Sequence, residues 1–272
     1  MNAIRNRNAV LMGLALVATL LFGGCSATKE VEQLTVEKRF AVAKSLFDES
    51  DYLQAYEEFR IVTLQYQGNA FANDAQYYMG ECRFMREEYI LAAYEYDVLI
   101  RTMPTSPYVA RARYAKSLCY FRMSPSYNLD QNYTKQAIDE FQSFIEYHPT
   151  DSLVIDAEKN IRELNTKLAQ KEFENGMTYI HMEYYKSAAA AFDHVLEKYY
   201  DTPYAEQAQL RKAEAQLMRN RVREAKTEID KFFSKYPNSQ WKSDAERVRR
   251  EIMSRLDKAF GEAKSLPANP SR

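Results

Sequence analysis

The side chains able to do covalent or acid–base chemistry are few and poorly spaced for it. Cysteines stand at positions 25, 82 and 119, histidines at 148, 181 and 194. No two histidines lie four apart as helical metal ligands do, and none has a carboxylate in a zinc-peptidase spacing. Cys82 and Cys119 each follow an aromatic residue, Phe71 and Tyr108, by eleven positions, so they are equivalent places in two copies of one unit. Packed helices lie about 8–10 Å apart, whereas a disulfide spans Cα atoms within about 7 Å. Two buried free thiols are the favoured reading, with a disulfide the alternative in an exported chain. Carboxylates pair in sequence at Glu57-Glu58 and Glu87-Glu88, but neighbours on a helix point apart. The other acidic residues recur at helical spacing and read as solvated faces. The chain has no phosphate-cradling glycine loop, no Gly-x-Ser-x-Gly elbow and no Cys-x-x-Cys. It is expected not to be an enzyme and to hold no cofactor or metal.

Binding chemistry remains, carried by 21 tyrosines and 14 phenylalanines. Triplets at i, i+3, i+7 recur with a small middle residue: Phe40/Ala43/Phe47, Tyr77/Gly80/Phe84, Tyr114/Ser117/Phe121, Phe173/Gly176/Ile180 and Leu210/Ala213/Leu217. That spacing defines one helical face, and the small residue admits a neighbouring helix. The triplets read first as core. Around the second and third, Tyr78, Met79, Met85, Ala115, Leu118 and Tyr120 widen the apolar stripe beyond one face. A central helix packed on two sides needs a wide stripe, and part of it can line a groove for an extended peptide. The candidate groove residues are Tyr77, Tyr78, Phe84, Tyr114, Tyr120 and Phe121.

The elements that position these residues repeat five times. A six-residue junction occurs at Tyr66–Phe71, Met103–Tyr108, His148–Leu153, Tyr199–Tyr204 and Tyr236–Trp241. Its fourth residue is Asn69, Ser106, Asp151, Thr202 or Ser239, all able to accept from an orphan N–H at a helix start. Pro107 and Pro203 follow, where the first helical position tolerates proline. Pro104, Pro149 and Pro237 end the preceding helix. Upstream of each junction a second mark recurs: Tyr52/Ala55/Phe59, Tyr89/Ala92/Tyr96, Thr134/Ala137/Phe141, Tyr185/Ala188/Phe192 and Val222/Ala225/Ile229. Two marks per unit mean two helices per unit, and a recurring helix pair predicts a solenoid. The expectation is an all-α, right-handed solenoid of five helix pairs resembling tetratricopeptide repeats, closed by a capping helix over Gln240–Phe260.

The last residues of successive junctions stand 37, 45, 51 and 37 apart. The longer steps locate two insertions. Ser124–Asn132, polar and holding Pro125, reads as an exposed loop within repeat three. Ser106, as a cap, should carry about 1 kcal/mol, and Ser124, in that loop, much less. The second insertion adds 14 residues, close to four helical turns. It predicts one long helix from about Leu153 that links residues 36–152, repeats one to three, to residues 153–260, repeats four and five with the cap. The tail, 261–272, is expected to be disordered.

Residues 1–24 read as a signal peptide. Arg5 and Arg7 precede an apolar run over Ala9–Phe22, short of the roughly 20 residues of a membrane span. Leu21-Phe22-Gly23-Gly24-Cys25 is similar to a bacterial lipobox, which makes Cys25 the expected lipid attachment site and residues 25–35 a lipidated tether. Acyl chains would hold the chain on a membrane. The formal net charge of −1 argues against nucleic acid as partner. Its distribution is uneven: residues 25–110 hold 8 Lys/Arg against 14 Asp/Glu, and residues 201–272 hold 16 against 11. The two ends are thus suited to different partners.

The lipobox-like Gly23-Gly24-Cys25, the Tyr236-Pro237-Asn238-Ser239 type of junction, the loop with Asp130-Gln131 and the long helix before repeat four together resemble the BamD family. The resemblance covers nearly the whole chain. It implies an outer-membrane lipoprotein scaffold of the β-barrel assembly machinery, lipid-anchored through Cys25 and facing the periplasm. Its first three repeats would bind C-terminal segments of unfolded barrel precursors. Its last two would dock the barrel subunit and accessory lipoproteins. Two alternatives stand beside it, a glycan-binding uptake lipoprotein and a periplasmic repeat adaptor for envelope constriction.

Overall fold

The computed structural model describes residues 34–265, with side chains to residue 259. Residues 1–24, expected to be a signal peptide, Cys25 and residues 266–272 lie outside it. Eleven helices follow one another with no strand among the described residues. Repeat one is α1 (Val36–Asp48) and α2 (Tyr52–Gln65), and repeat two is α3 (Ala70–Met85) and α4 (Tyr89–Thr102). Repeat three is α5 (Val109–Met123) and α6 (Asn132–Tyr147). The long α7 (Val154–His181) leads into α8 (Tyr185–Lys198), followed by α9 (Tyr204–Met218), α10 (Val222–Lys235) and α11 (Lys242–Ser265). Each helix packs on the next, and the first helices of neighbouring repeats also touch (α1 on α3, α5 on α7, α7 on α9, α9 on α11). This is a solenoid of tetratricopeptide-like helix pairs.

The five junctions share one hydrogen-bond pattern. The closing N–H of each helix bonds four residues back, as in Met103 to Leu99 at 2.9 Å. Two successive i→i+3 bonds follow: Ser106 N–H to the Met103 carbonyl at 2.9 Å, then Val109 N–H to the Ser106 carbonyl at 3.2 Å. The same pair recurs at Asn69/Ala72, Asp151/Val154, Thr202/Ala205 and Ser239/Lys242. Because the chain turns twice before the α-helix begins, Pro107 and Pro203 lie in the turn and not at the first helical position. Asn69, Ser106, Asp151 and Ser239 accept the N–H two residues on, at 2.9–3.2 Å. Thr202 departs from expectation: its hydroxyl donates to the Tyr199 carbonyl at 2.7 Å. Capping bonds satisfy donors that a helix start leaves orphaned.

Within four repeats the turn between the helices is a Schellman closure. The residues two past each helix end are Ser50, Glu87, Glu183 and Asn220, with φ of 66°, 60°, 59° and 58°. In repeat four, Glu183 N–H bonds the Ile180 carbonyl and Tyr184 N–H bonds the Tyr179 carbonyl. Repeat three lacks the motif because Ser124 turns extended, at φ −62° and ψ 115°, into the inserted loop. A side chain with a Cβ pays about 1–2 kcal/mol in the left-handed region, partly offset by the larger unfolded-state freedom of glycine. Glu183→Gly is therefore expected to stabilise the fold by about 0.5–1 kcal/mol, and Asn220→Gly by less, since asparagine tolerates this conformation. Urea unfolding of both variants measures the difference, and a destabilised Glu183→Gly would contradict this account.

Ser124 does not behave as an idle loop residue. Its hydroxyl lies 2.7 Å from the Thr134 hydroxyl and accepts from the Lys167 ammonium at 2.7 Å. Lys171 reaches the Leu129 carbonyl at 2.7 Å. The insertion is thus tied to α7 by two lysines from successive turns of its face, so the expected contrast between Ser106 and Ser124 does not hold. The capping helix also runs further than expected, through Gly261 to Ser265. One glycine in a helix is a penalty of about 1 kcal/mol, not a stop.

Candidate functional site

Repeats two and three open a cavity where α3 and α5 pack less closely than the other neighbouring first helices. Its volume is about 280 Å³. Tyr77 and Phe84 come from α3, Tyr114, Ala115 and Leu118 from α5, the Tyr96 ring from α4, and Leu153 from the turn before α7. Of the six candidate groove residues, the fold brings together Tyr77, Phe84 and Tyr114. The other three are set apart. Tyr78 is stacked on Phe59 in the first core, ring centroids 5.2 Å apart. Phe121 packs edge-on against Phe141. Tyr120 lies over Tyr133, bridging the third and fourth cores. Tyr78 faces the preceding repeat, and Tyr120 and Phe121 face α6 of their own repeat, which is why the wider apolar stripe serves packing there.

The cavity walls are held by their own contacts. Tyr77 stacks on Tyr108 with centroids 4.6 Å apart. Tyr114 leans edge-on against Phe144 at 5.5 Å. Tyr96 donates its hydroxyl to Glu81 at 2.6 Å. Burial pushes the phenols of Tyr77, Tyr96 and Tyr114 above their ordinary range, and Glu81 adds to the shift at the first two. They are neutral hydrogen-bond donors at physiological pH. Arg111 stands exposed at the cavity's edge, the one cation among the residues that line it. An aromatic-walled pocket with a carboxylate and a guanidinium at its rim can take an apolar side chain and orient the backbone beside it. Its aromatics were legible from periodicity. Glu81, Arg111 and Leu153 were not, since nothing local marks which polar residues flank a gap between helices.

Across the repeats runs a polar ladder that the sequence pattern alone places at the surface. Glu58, Glu95, Glu140 and Glu228 each stand six residues into the second-helix mark of their repeat. Glu95 and Glu228 are buried, not solvated. Gln76 donates to the Glu95 carboxylate at 2.8 Å and to its carbonyl at 3.0 Å, and Tyr56 donates to the same carboxylate at 2.8 Å. Gln209 repeats this on Glu228, at 2.8 and 3.1 Å. Lys116 bridges Asp97 and Glu140 at 3.1 and 2.8 Å, and Lys212 bridges Asp193 and Glu228 at 2.5 and 3.1 Å. Burial acts to lower both lysine pKa values, but bonds to the paired carboxylates outweigh it and leave them raised. Burial alone would raise Glu228, yet Gln209, Lys231 and Lys212 hold it below the ordinary carboxylate range.

Cys82 and Cys119 are buried free thiols, raised to about 12 first by desolvation, and so inert as nucleophiles. Among the described residues no group of three or more His, Cys, Asp and Glu could hold a metal. No helix among them is long and apolar enough to cross a membrane.

The repeat fold defines a helical-repeat protein of the tetratricopeptide type. A tetratricopeptide repeat model matches residues 207–239, within repeat five. The chain belongs to the YfiO family, described as outer membrane lipoproteins, whose model matches residues 32–221. Its relatives include the outer membrane protein assembly factor BamD of Rickettsia prowazekii (strain Madrid E), 28% identical over 240 residues, 88% of this chain and 96% of that one. BamD of Caulobacter vibrioides is 27% identical over 248 residues, 90% of this chain and 81% of that one. The TPR2AB-domain complex of yeast Sti1 covers 83% of this chain and 86% of its own, at 13% identity and a TM-score of 0.43. Both BamD relatives are named as outer membrane protein assembly factors.

Proposed function

We propose that the chain is a lipid-anchored scaffold at the outer membrane, acylated at Cys25 and facing the periplasm. In this reading repeats one to three bind C-terminal segments of unfolded barrel precursors. Repeats four and five dock the barrel subunit and accessory lipoproteins. The observation that supports it best is the cavity between α3 and α5. It is wide enough for a large apolar side chain, walled by Tyr77, Phe84 and Tyr114, and edged by Arg111. An aromatic side chain entering it would bury apolar surface worth about 1.5–3 kcal/mol.

Ala115 offers the test, because its buried side chain borders the cavity. Ala115→Leu extends a side chain into the empty volume without removing a packing contact. The full mature chain should bind a labelled peptide ending in phenylalanine, and Ala115→Leu should weaken that binding about tenfold, the equivalent of about 1.4 kcal/mol. Fluorescence anisotropy reads the affinity, and circular dichroism checks that the variant is folded. Because the contacts are apolar, the affinity should change little with salt. Equal affinities for the folded variant and the parent would remove the cavity as the peptide site.

A further inference from the structure

A second cavity, about 550 Å³, lies at the far end of the solenoid where the α9–α10 turn meets the last turns of α11. Arg221 and Arg223 line it from the turn and the start of α10, Arg255 and Lys258 from α11. Glu224 is the one carboxylate among the residues around it. Arg221 reaches Glu224 only at 3.4 Å, while Arg255 is anchored on Glu251 at 2.6 Å and on the Leu217 carbonyl at 3.2 Å. Among the described residues, Arg223 and Lys258 make no ion pair within 4.0 Å.

These cations do not serve the helix they surround. The residue before the second helix is Asp51 in repeat one and Glu88 in repeat two, and Asp51 accepts the Gln54 N–H at 3.2 Å. An acid there is favoured by the positive end of the helix. In repeat five the same place is Arg221, followed by Arg223, with Arg219 just before the turn. Like charges are crowded where stability favours the opposite sign. Arg221, Arg223 and Lys258, from two elements around one open cavity, are arranged for an anion supplied from outside.

We propose that this cavity is a recognition site for an acidic protein segment, its Asp or Glu carboxylates paired with Arg223, Arg221 and Lys258. Arginine forks match carboxylates in a bidentate geometry, and Leu256 supplies an apolar floor for the stems of the bound side chains. The cavity is several times larger than one carboxylate, which suits a segment carrying more than one acid. The proposal rests on the reading that repeats four and five dock another component of the assembly. It adds the chemistry of that component and the place where it is read.

The probe is a labelled hexaglutamate peptide, titrated against the full mature chain and followed by anisotropy. The double variant Arg223→Ser with Lys258→Ser should weaken binding about tenfold or more, as two charge-assisted contacts are lost. A control of equal charge change on α11, Lys242→Ser with Arg250→Ser, should leave binding within about twofold, because exposed charges away from the cavity act only through screened attraction. All four positions are exposed or on the rim, and circular dichroism confirms the helices of each variant. Equal losses in the two double variants would overturn the proposal in favour of diffuse attraction. So would cavity-dependent binding of phosphatidylglycerol vesicles with no cavity-dependent peptide binding, which would make it a lipid-headgroup site. The peptide binds or fails to bind without any natural partner, so this proposal and the docking reading fail separately.

Discussion

Replacing Lys212 by methionine is expected to destabilise the fold by about 3 kcal/mol, the lower end of what breaking a buried ion pair costs. Lys212 lies inside the ladder, 9% exposed, bridging Asp193 of repeat four and Glu228 of repeat five. Its removal leaves the Glu228 carboxylate, 7% exposed, with Gln209 and a half-exposed Lys231. Asp193 can turn to water, so most of the penalty falls on Glu228. Lys226→Met is the matched control. Its partner Asp230 is one helical turn away on the surface, and such pairs contribute about 0.3–0.5 kcal/mol. Removing both charges, Lys212→Met with Glu228→Leu, should recover most of the loss, since apolar replacement of a buried pair is often close to neutral. Urea unfolding of the four proteins measures all of this. Equal effects at Lys212 and Lys226 would mean that the ladder carries no special weight.

The same residue gives the fold a pH dependence of known sign. Glu228 is held below the ordinary carboxylate range in the folded chain. Its contribution is therefore complete above the unfolded carboxylate pKa of about 4.3 and is lost as pH falls through the lower, folded value. Lys212→Met removes one cause of that depression. The stability gap between parent and variant should accordingly narrow in acid, below about pH 4.

The helix pairs were legible because each repeats a local rule: a turn that caps, a small residue at fixed spacing, an apolar stripe. The junction residues Asn69, Ser106, Asp151, Thr202 and Ser239 stand one to three residues before the observed helix starts. The long α7 followed from a step of 51 residues in a stretch without proline. The ladder was in principle as legible. Glu95 and Glu228 stand at the same place in their repeats, and so do Gln76 and Gln209, nineteen residues earlier. Taken alone, each glutamate reads as surface because a single glutamate on a helix is usually solvated, and only the pair Gln76–Glu95 with its repeat shows otherwise. Ser124 failed for a different reason. Its partner Lys167 lies 43 residues away on another element, and no local pattern links an insertion to the helix that will cover it. For the cavity, the aromatic stripe named three wall residues but could not separate them from Tyr78 and Phe121, which have the same chemistry and spacing. The distinction rests on how far α5 stands from α3, a property of the packed pair.

The small residues at the centre of each triplet make the last prediction sharp. Phe192→Ala should destabilise the fold by about 3–5 kcal/mol, since its ring is fully buried in the core of repeats four and five. The ring sits over Gly176 of α7, and a Cβ built there would lie 2.5 Å from its edge, inside van der Waals contact. Gly80 stands in the same relation to Tyr96, whose ring is also fully buried. The Phe192 ring is confined, because Phe173 closes on it at 5.6 Å. Gly176→Ala alone should then be destabilising by about 1–3 kcal/mol through overpacking, although alanine is the better helix former by about 1 kcal/mol. In the Phe192→Ala background the obstruction is gone and only the propensity remains. There the same Gly176→Ala change should reverse sign and stabilise by about 1 kcal/mol, a coupling of at least about 2 kcal/mol between the two sites. Gly176→Ala measured by urea unfolding in both backgrounds decides it. An unchanged sign would show that α7 can shift to admit the methyl group. The glycines would then mark no close approach, and the choice of Ala43, Ser117 and Ala213 at the corresponding positions of the other repeats would carry no packing meaning.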